Sequence, residues 1–280
     1  DLMNYGGIAE NVKAMGGKGI EFADTSITEY GIYAFTQQTI AEKLTLNAGL
    51  RYQNHSTYGG QWIPTAGFAY ELGKQTTWKG TISKGFRSPT MRELFMWGPN
   101  PELEPEVIYN YETGISKTFF NQRMSAELTV FFVEGDNLIV NVGPPNGYLN
   151  SGEISNKGIE LAVNAEPIEN LNLNATYSYI NMKNPVFATP EHHLFLNAHY
   201  RIKRLQLMAS IQQVSNLDND PSPRVNQESY TLLNAKAMYN LTRNLKLFVS
   251  GENLLDNSYE VNRFYTMPGV TVFSGLNFVF

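Results

Sequence analysis

The residues richest in chemistry fall between Arg87 and Glu106, in the run RSPTMRELFMWGPNPELEPE. Pro89, Pro99, Pro101 and Pro105 stiffen this stretch, because each proline fixes its own φ and removes a backbone donor. Met91, Arg92, Met96 and Trp97 add soft, cationic and stacking groups, the kinds that grip a small molecule without transforming it. Arg87, Glu93 and Glu106 carry a second reading, in which they pair with one another and fold the stretch on itself. Both readings stand at this point, since residues that fix a loop need not touch a ligand. Tyr148, Phe264 and Tyr265 lie in two other long connections and are expected as further contacts.

The remaining candidates carry weaker patterns. His55, His192, His193 and His199 show neither a ligand spacing nor a carboxylate partner, so no metal site is expected. Asp218 and Asp220, in SNLDNDPSPR, lack the glycine and terminal glutamate of a calcium loop and read as a solvated turn. The Gly16-Gly17-Lys18-Gly19 cluster fails the phosphate-loop pattern and no helix follows it. Cysteine is absent, which removes disulfide frameworks and cysteine-based zinc or catalytic sites. No nucleophile, base and orienting group are marked together, so no catalytic residue is assigned and the chain is not read as an enzyme. A net charge of −5 argues against nucleic acid as a partner, since that partner calls for a basic face.

These loops need elements to hold them, and the elements are strands. Near Asn244 the chain alternates: Leu245, Leu247 and Val249 fall on one face, and Lys246, Phe248, Ser250 and Glu252 on the other. Period two over about ten residues is what a tilted strand needs to cross a bilayer between lipid and water. About thirteen such runs follow one another. They lie near 26–39, 43–55, 60–72, 75–86, 106–119, 122–134, 153–166, 171–183, 190–202, 204–217, 228–240, 244–255 and 268–280. Short turns are expected at Ala41-Glu42, Gly73-Lys74, Asn121, Glu169-Asn170, Lys203 and Thr242-Arg243. Long connections fall at 87–105, 135–152, 184–189, 218–227 and 256–267. Membrane barrels show this same division into short periplasmic turns and long external loops.

Composition agrees with a wall rather than a core. Charged residues are 17% and aromatics 12% of 280 residues, with sixteen Tyr and sixteen Phe. Mean hydropathy is −0.29, and strands with one wet face average to neutral in this way. A soluble β-sandwich, such as a carbohydrate-binding module, also alternates. Strand length, the two classes of connection and aromatics near strand ends such as Tyr70, Phe131, Phe132, Tyr177 and Tyr179 favour the membrane barrel.

Two blocks carry a family resemblance. Gly251-Glu252-Asn253-Leu254-Leu255-Asp256, then Tyr259, Tyr265, Pro268-Gly269, Gly275 and the closing Phe278-Val279-Phe280 resemble the C-terminal signature of TonB-dependent outer-membrane receptors. Arg87, Pro89, Glu93, Asn100, Pro101 and Glu106 resemble the mid-barrel motif of the same family. The resemblance implies an all-β, transmembrane, antiparallel up-and-down barrel of ~22 strands, of which this chain supplies the C-terminal part. Residues 1–25, with their glycines in a polar context, are then expected as an extracellular loop region and 26–280 as barrel. The N-terminal plug and first strands are expected outside this sequence.

The implied activity is uptake of a metal chelate or cofactor, such as a ferric siderophore or cobalamin, across the outer membrane of a Gram-negative bacterium. The implied partners are outer-membrane lipid, a TonB-type energy-transducing protein acting through the plug, the chelate itself and a surface lipoprotein. No covalently bound cofactor is expected. Two departures from the family matter. Val270 stands where Arg very often follows Pro-Gly, and the stretch 90–98 lacks the His that related haem receptors carry between the halves of the motif.

Overall fold

The computed structural model describes residues 1–11, 20–95, 100–143, 147–220 and 227–278. Its strands are β1 Leu2–Asn11, β2 Ile20–Ile40, β3 Leu44–His55, β4 Gly59–Gly73, β5 Thr76–Arg87, β6 Glu106–Phe119, β7 Met124–Gly143 and β8 Gly147–Ala165. They continue as β9 Leu171–Met182, β10 Pro190–Ile202, β11 Leu205–Asp218, β12 Gln227–Asn240, β13 Leu245–Glu252, β14 Glu260–Asn262, β15 Tyr265–Thr266 and β16 Thr271–Phe278. One short helix, α1 Met91–Phe95, sits between β5 and β6. Fourteen strands form one sheet in chain order, β1 to β13 and then β16, while β14 and β15 make a small hairpin. A sandwich would need two packed sheets, so the up-and-down expectation holds and the soluble alternative does not.

The chain divides into two compact units, the first of 1–70, 79–112 and 132–155, the second of 71–78, 113–131 and 156–280. In the second, register sorts side chains by chemistry. One row across β8 to β11 reads Val163, Ala175, Leu196 and Ile211. The row one residue along, on the opposite face, reads Asn164, Asn174, Asn197 and Ser210, continuing to Asn234 of β12. Tyr239, Leu247 and Leu276 share a row, and so do Asn240, Lys246 and Asn277. The parity read around Leu247 is therefore the parity of the wall. In the first unit the same rule puts Leu46, Leu50 and Pro64 on one face and Arg51, Gln53 and Asn47 on the other.

The short turns fall where expected, and the backbone shows why. Ala41 and Glu42, Lys74 and Gln75, then Phe120, Asn121 and Gln122 all have positive φ, the conformation that matches a tight turn to the twist of its strands. At 242–243 a side chain does the work instead: Thr242 Oγ1 accepts from the backbone N–H of Asn244 and Leu245 at 3.2 and 3.0 Å.

Two expectations fail. Residues 2–11, expected within a loop, form β1, paired with β2 from Leu2↔Tyr30 to Asn11↔Ile20 with a register shift after Ala9. Glycine at 6 and 7 erases the alternation that reveals a strand, although ladder hydrogen bonds need no side chain. The stretch 135–152, expected as a connection, is mostly strand, because β7 runs to Gly143 and β8 starts at Gly147. Its Leu138, Val140 and Val142 alternate with Ile139 and Asn141 and suit a pleated surface.

Candidate functional site

The motif stretch is folded on itself around Arg87. Its guanidinium donates to Glu106 through Nε at 2.6 Å and Nη2 at 2.7 Å, and to Glu93 through Nη1 and Nη2 at 3.0 and 3.1 Å. Glu93 also closes the start of α1: it accepts from the Thr90 N–H at 2.7 Å, and its own N–H donates to Thr90 Oγ1 at 3.3 Å. This is the reciprocal capping box that T-x-x-E encodes. Glu106 Oε1 takes the Ile139 N–H at 2.7 Å, fixing β7 to the same cluster. Asn100 donates to the Tyr148 carbonyl at 2.9 Å. Asn150, which carried no signal in the sequence, accepts from the Glu104 N–H and donates to the carbonyls of Glu104 and Asn137. Beneath lie Leu94, Leu103 and Tyr148, buried against Tyr58, Phe95 and Ile139.

These groups lie beyond the roughly ten residues that span hydrocarbon from each short turn. Burial pushes the Glu93 carboxyl up, but the hydrogen bonds from Arg87 and Thr90 outweigh it and hold it below the usual range. Arg87 is raised by its hydrogen bonds to Glu106 and then Glu93. The Tyr58 phenol is pushed up to about 12 by burial and by the charge on Glu93.

A second polar cluster adjoins the loop in the same unit. Glu29 accepts from the Tyr5 hydroxyl at 2.6 Å and Gln53 Nε2 at 2.8 Å, and His55 Nε2 lies 3.3 Å away. His55 Nδ1 accepts from the Thr57 N–H at 3.0 Å, which leaves the proton of a neutral ring on Nε2, facing Glu29. Burial lowers the His55 pKa against the opposing pull of Glu29. Tyr5 is pushed up to about 12 by burial and its bond to Glu29. Tyr5, Glu29 and Gln53 line a cavity of about 430 Å³ with Phe86, Ser88, Pro89, Thr90 and Met91. Tyr5, Glu29, Gln53 and Thr90 already hydrogen-bond within the protein, so the cavity can hold a ligand by shape and by the hydrogen-bonding capacity these groups retain.

The second unit carries the other motif. Asn253 is 5% exposed and acts as a hub for the chain after β13. Its N–H donates to Asn234 Oδ1, its amide donates to the carbonyls of Asn257 and Pro268, and its Oδ1 accepts from the Asn257 N–H. Asp256 Oδ1 takes the Val270 N–H at 3.1 Å. A Cβ on Gly269 would lie 2.5 Å from that same oxygen, which is why glycine stands there. Tyr259 packs on Tyr230 with ring centroids 4.3 Å apart. At the β14–β15 hairpin, Arg263 pairs with Asp220 and lies over the Phe264 ring. Phe264 and Tyr265 themselves stand 81% and 73% exposed.

The expected contacts thus divide. Met91 lines a cavity, Arg92 is exposed on α1, and Phe264 and Tyr265 are open. Tyr148 is a correction: it is 9% exposed and belongs to the packing beneath the loop, because its ring fills the space between Leu94 and Leu103. Asp218 and Asp220 are a second correction, since Asp218 is buried and Asp220 is held by Arg263 rather than by solvent. Met96, Trp97 and Phe280 lie outside the described residues. Missed altogether were Tyr5, Glu29 and Gln53, and the loop-fixing Asn150, Asn234 and Asn257, whose isolated positions carried no motif.

Comparison with known proteins agrees with this arrangement. A family profile described as TonB dependent receptor-like, beta-barrel matches residues 3–254. The ferric-pyoverdine BN7/BN8 receptor of Pseudomonas putida is 26% identical over 86% of this chain and 33% of the receptor. The vitamin B12 transporter of Photobacterium profundum is 23% identical over 94% of this chain and 45% of the transporter. The solved siderophore receptor PirA from Acinetobacter baumannii superposes with a TM-score of 0.78 at 18% identity, over 95% of this chain and 47% of that one. The chain therefore spans less than half the length of these relatives. With most of its residues matched by the family profile and the strand order and motif loops in place, the chain belongs to the TonB-dependent receptor β-barrel family of the Gram-negative outer membrane.

Proposed function

We propose that the protein carrying this chain is an outer-membrane transporter that captures a metal chelate or cofactor, with ferric siderophores ahead of cobalamin as cargo. The observation that carries the reading is the pairing of tightly fixed loops with side chains left open. Arg87, Glu93 and Glu106 immobilise one loop and Asn253 another, while Phe264, with Arg263 over one face of its ring, and Tyr265 stand exposed and offer rings on which a ligand can stack. Rigid presentation lowers the ordering cost of capture, and tight capture is what scarce cargo demands. The relatives' names, a ferric-pyoverdine receptor and a vitamin B12 transporter, support both cargo classes. An outer membrane holds no ion gradient, so release requires a TonB-type partner acting through the N-terminal plug that this reading places elsewhere in the protein. A surface lipoprotein that hands over cargo fits the same scheme.

The test is growth of a deletion strain, complemented with the full-length gene, on single ferric siderophores or on cobalamin. Phe264→Ala/Tyr265→Ala should weaken binding of the active cargo by about 5- to 150-fold, the size of two lost aromatic contacts of about 0.5–1.5 kcal/mol each. Restored growth on none of these sources would overturn the reading.

A further inference from the structure

The short turns of the second unit, at 74–75, 120–123, 166–170, 203–204 and 241–244, stand in a fixed row. Backbone hydrogen bonds continue past the strand ends and tie each turn to its neighbour. The Thr118 N–H donates to the Gln75 carbonyl at 3.0 Å, Glu166 to Arg123 at 2.7 Å, Arg201 to Asn170 at 3.1 Å and Asn240 to Arg204 at 2.9 Å. Successive turns are therefore two strand spacings apart, ~9.6 Å, and the five follow one another over ~38 Å of sheet.

Charge is unevenly placed on this row. Lys74, Lys117 and Arg123 belong to its first two turns, and Arg201, Lys203, Arg204 and Arg243 to its last two; all seven are exposed. Against them stand three carboxylates, Glu71 before the first turn and Glu166 and Glu169 on the middle one. A chain of net charge −5 thus carries +4 here. Glu166 is also engaged within its own turn, where its Oε1 accepts from the Asn170 N–H at 3.3 Å. The side chains of Lys203, Arg204 and Arg243 make no ion pair or hydrogen bond among the described residues. Lys203 and Arg204 lie past the last ladder pair, Ile202↔Leu205, and Arg201, paired with Gln206, shares the face of Asn197 opposite Leu196. These cations therefore meet water rather than lipid.

We infer that this row is a docking surface for a linear polymer that bears carboxylates along its length, the chemistry of cell-wall peptidoglycan. Short turns mark the periplasmic side of a membrane barrel, where such a polymer is met. Cations recurring on four of five turns suit a partner whose charges also recur, whereas a single small anion would engage one turn. The wet-face position of Arg201 and the turn-tip positions of Lys203, Arg204 and Arg243 favour that polymer over anionic lipid headgroups. The contact is one of exposed charges, so salt screens it, and it does not rest on chelate transport.

The experiment is co-sedimentation of the full-length protein, held in phosphatidylcholine nanodiscs, with purified peptidoglycan sacculi, with sacculi whose carboxylates have been amidated, and with phosphatidylglycerol vesicles. Untreated sacculi should retain the protein at low salt. Amidation should release it, as should about 1 M salt, where the Debye length is ~3 Å. Lys203→Gln/Arg204→Gln/Arg243→Gln should weaken retention by about 3- to 150-fold, since each exposed cation contributes about 1.4- to 5-fold. Lys203→Arg/Arg204→Lys/Arg243→Lys, which keeps the charges, should bind as the parent does. Retention that survives amidation, a neutral triple variant that binds like the parent, or vesicles that bind more tightly than sacculi would each overturn the proposal. Growth of the neutral variant on the transported cargo should match the parent, so the docking result and the transport reading fail separately.

Discussion

Replacing Arg87 with alanine tests whether the motif loop is a scaffold. The substitution removes four hydrogen bonds from two carboxylates, Glu93 and Glu106, whose side chains are only 13% and 10% exposed. Stranding a fully buried charge costs about 3–5 kcal/mol. Arg87 is itself 42% exposed, so water reaches the carboxylates from the side it vacates, and the expected cost falls to about 2–3 kcal/mol. Spent on local opening, this speeds amide exchange by about 30- to 150-fold. The reporters are the N–H groups of Leu94, Asn100 and Ile139, which bond to Thr90, to Glu93 and to the Glu106 carboxylate. Hydrogen–deuterium exchange of the full-length protein at neutral pH reads all three. Adding Glu93→Gln and Glu106→Gln to Arg87→Ala should restore much of the protection, because the stranded charges are then gone. Unchanged exchange in the single variant, or no recovery in the triple, would refute the account.

Three further outcomes are expected. Leu247→Arg should cost about 2–4 kcal/mol near the bilayer midplane, whereas Lys246→Leu, in the row of Asn240 and Asn277, should be mild; chemical unfolding in lipid vesicles measures both. Asn253→Ala should cost about 2–4 kcal/mol through partners left unsatisfied, and Asn253→Gly should recover only the part due to the positive φ of 48°, as thermal unfolding would show. Because burial lowers the His55 pKa, the neutral ring contributes stability above the unfolded value near 6.5. That contribution should fade as pH falls from there toward the folded value, and His55→Gln should flatten the trend in an exchange experiment run between about pH 7.5 and 5.

How much of this was legible depends on where backbone groups find their partners. Where they pair in a ladder, side-chain alternation is free to report the two solvents, so strands such as 106–119 and 190–202 and turns such as Ala41-Glu42 could be read directly. β1 was invisible because Gly6 and Gly7 pair without side chains to show which face they serve. At the site, Arg87, Glu93 and Glu106 were correctly read as capable of pairing among themselves. Tyr148 was misplaced because an aromatic in a connection looks the same whether it stands in solvent or fills a core. Tyr5, Glu29 and Gln53 come together only through the register of β1, β2 and β3, and no local pattern announces a register.

Both blocks that identify the family lie where the chain leaves the sheet and side chains replace the ladder. Off the sheet, every buried N–H and C=O needs a new partner. Thr90, Glu93, Asn100 and Glu106 supply partners in one loop, and Asn253 and Asp256 in the other. Such residues cannot change without orphaning a backbone group, whereas the side chains of Phe264 and Tyr265 stand 81% and 73% exposed and carry no such duty. A signature of this kind therefore marks how loops are held, and on the proposed transport reading the cargo contacts belong to the exposed residues that the held loops present.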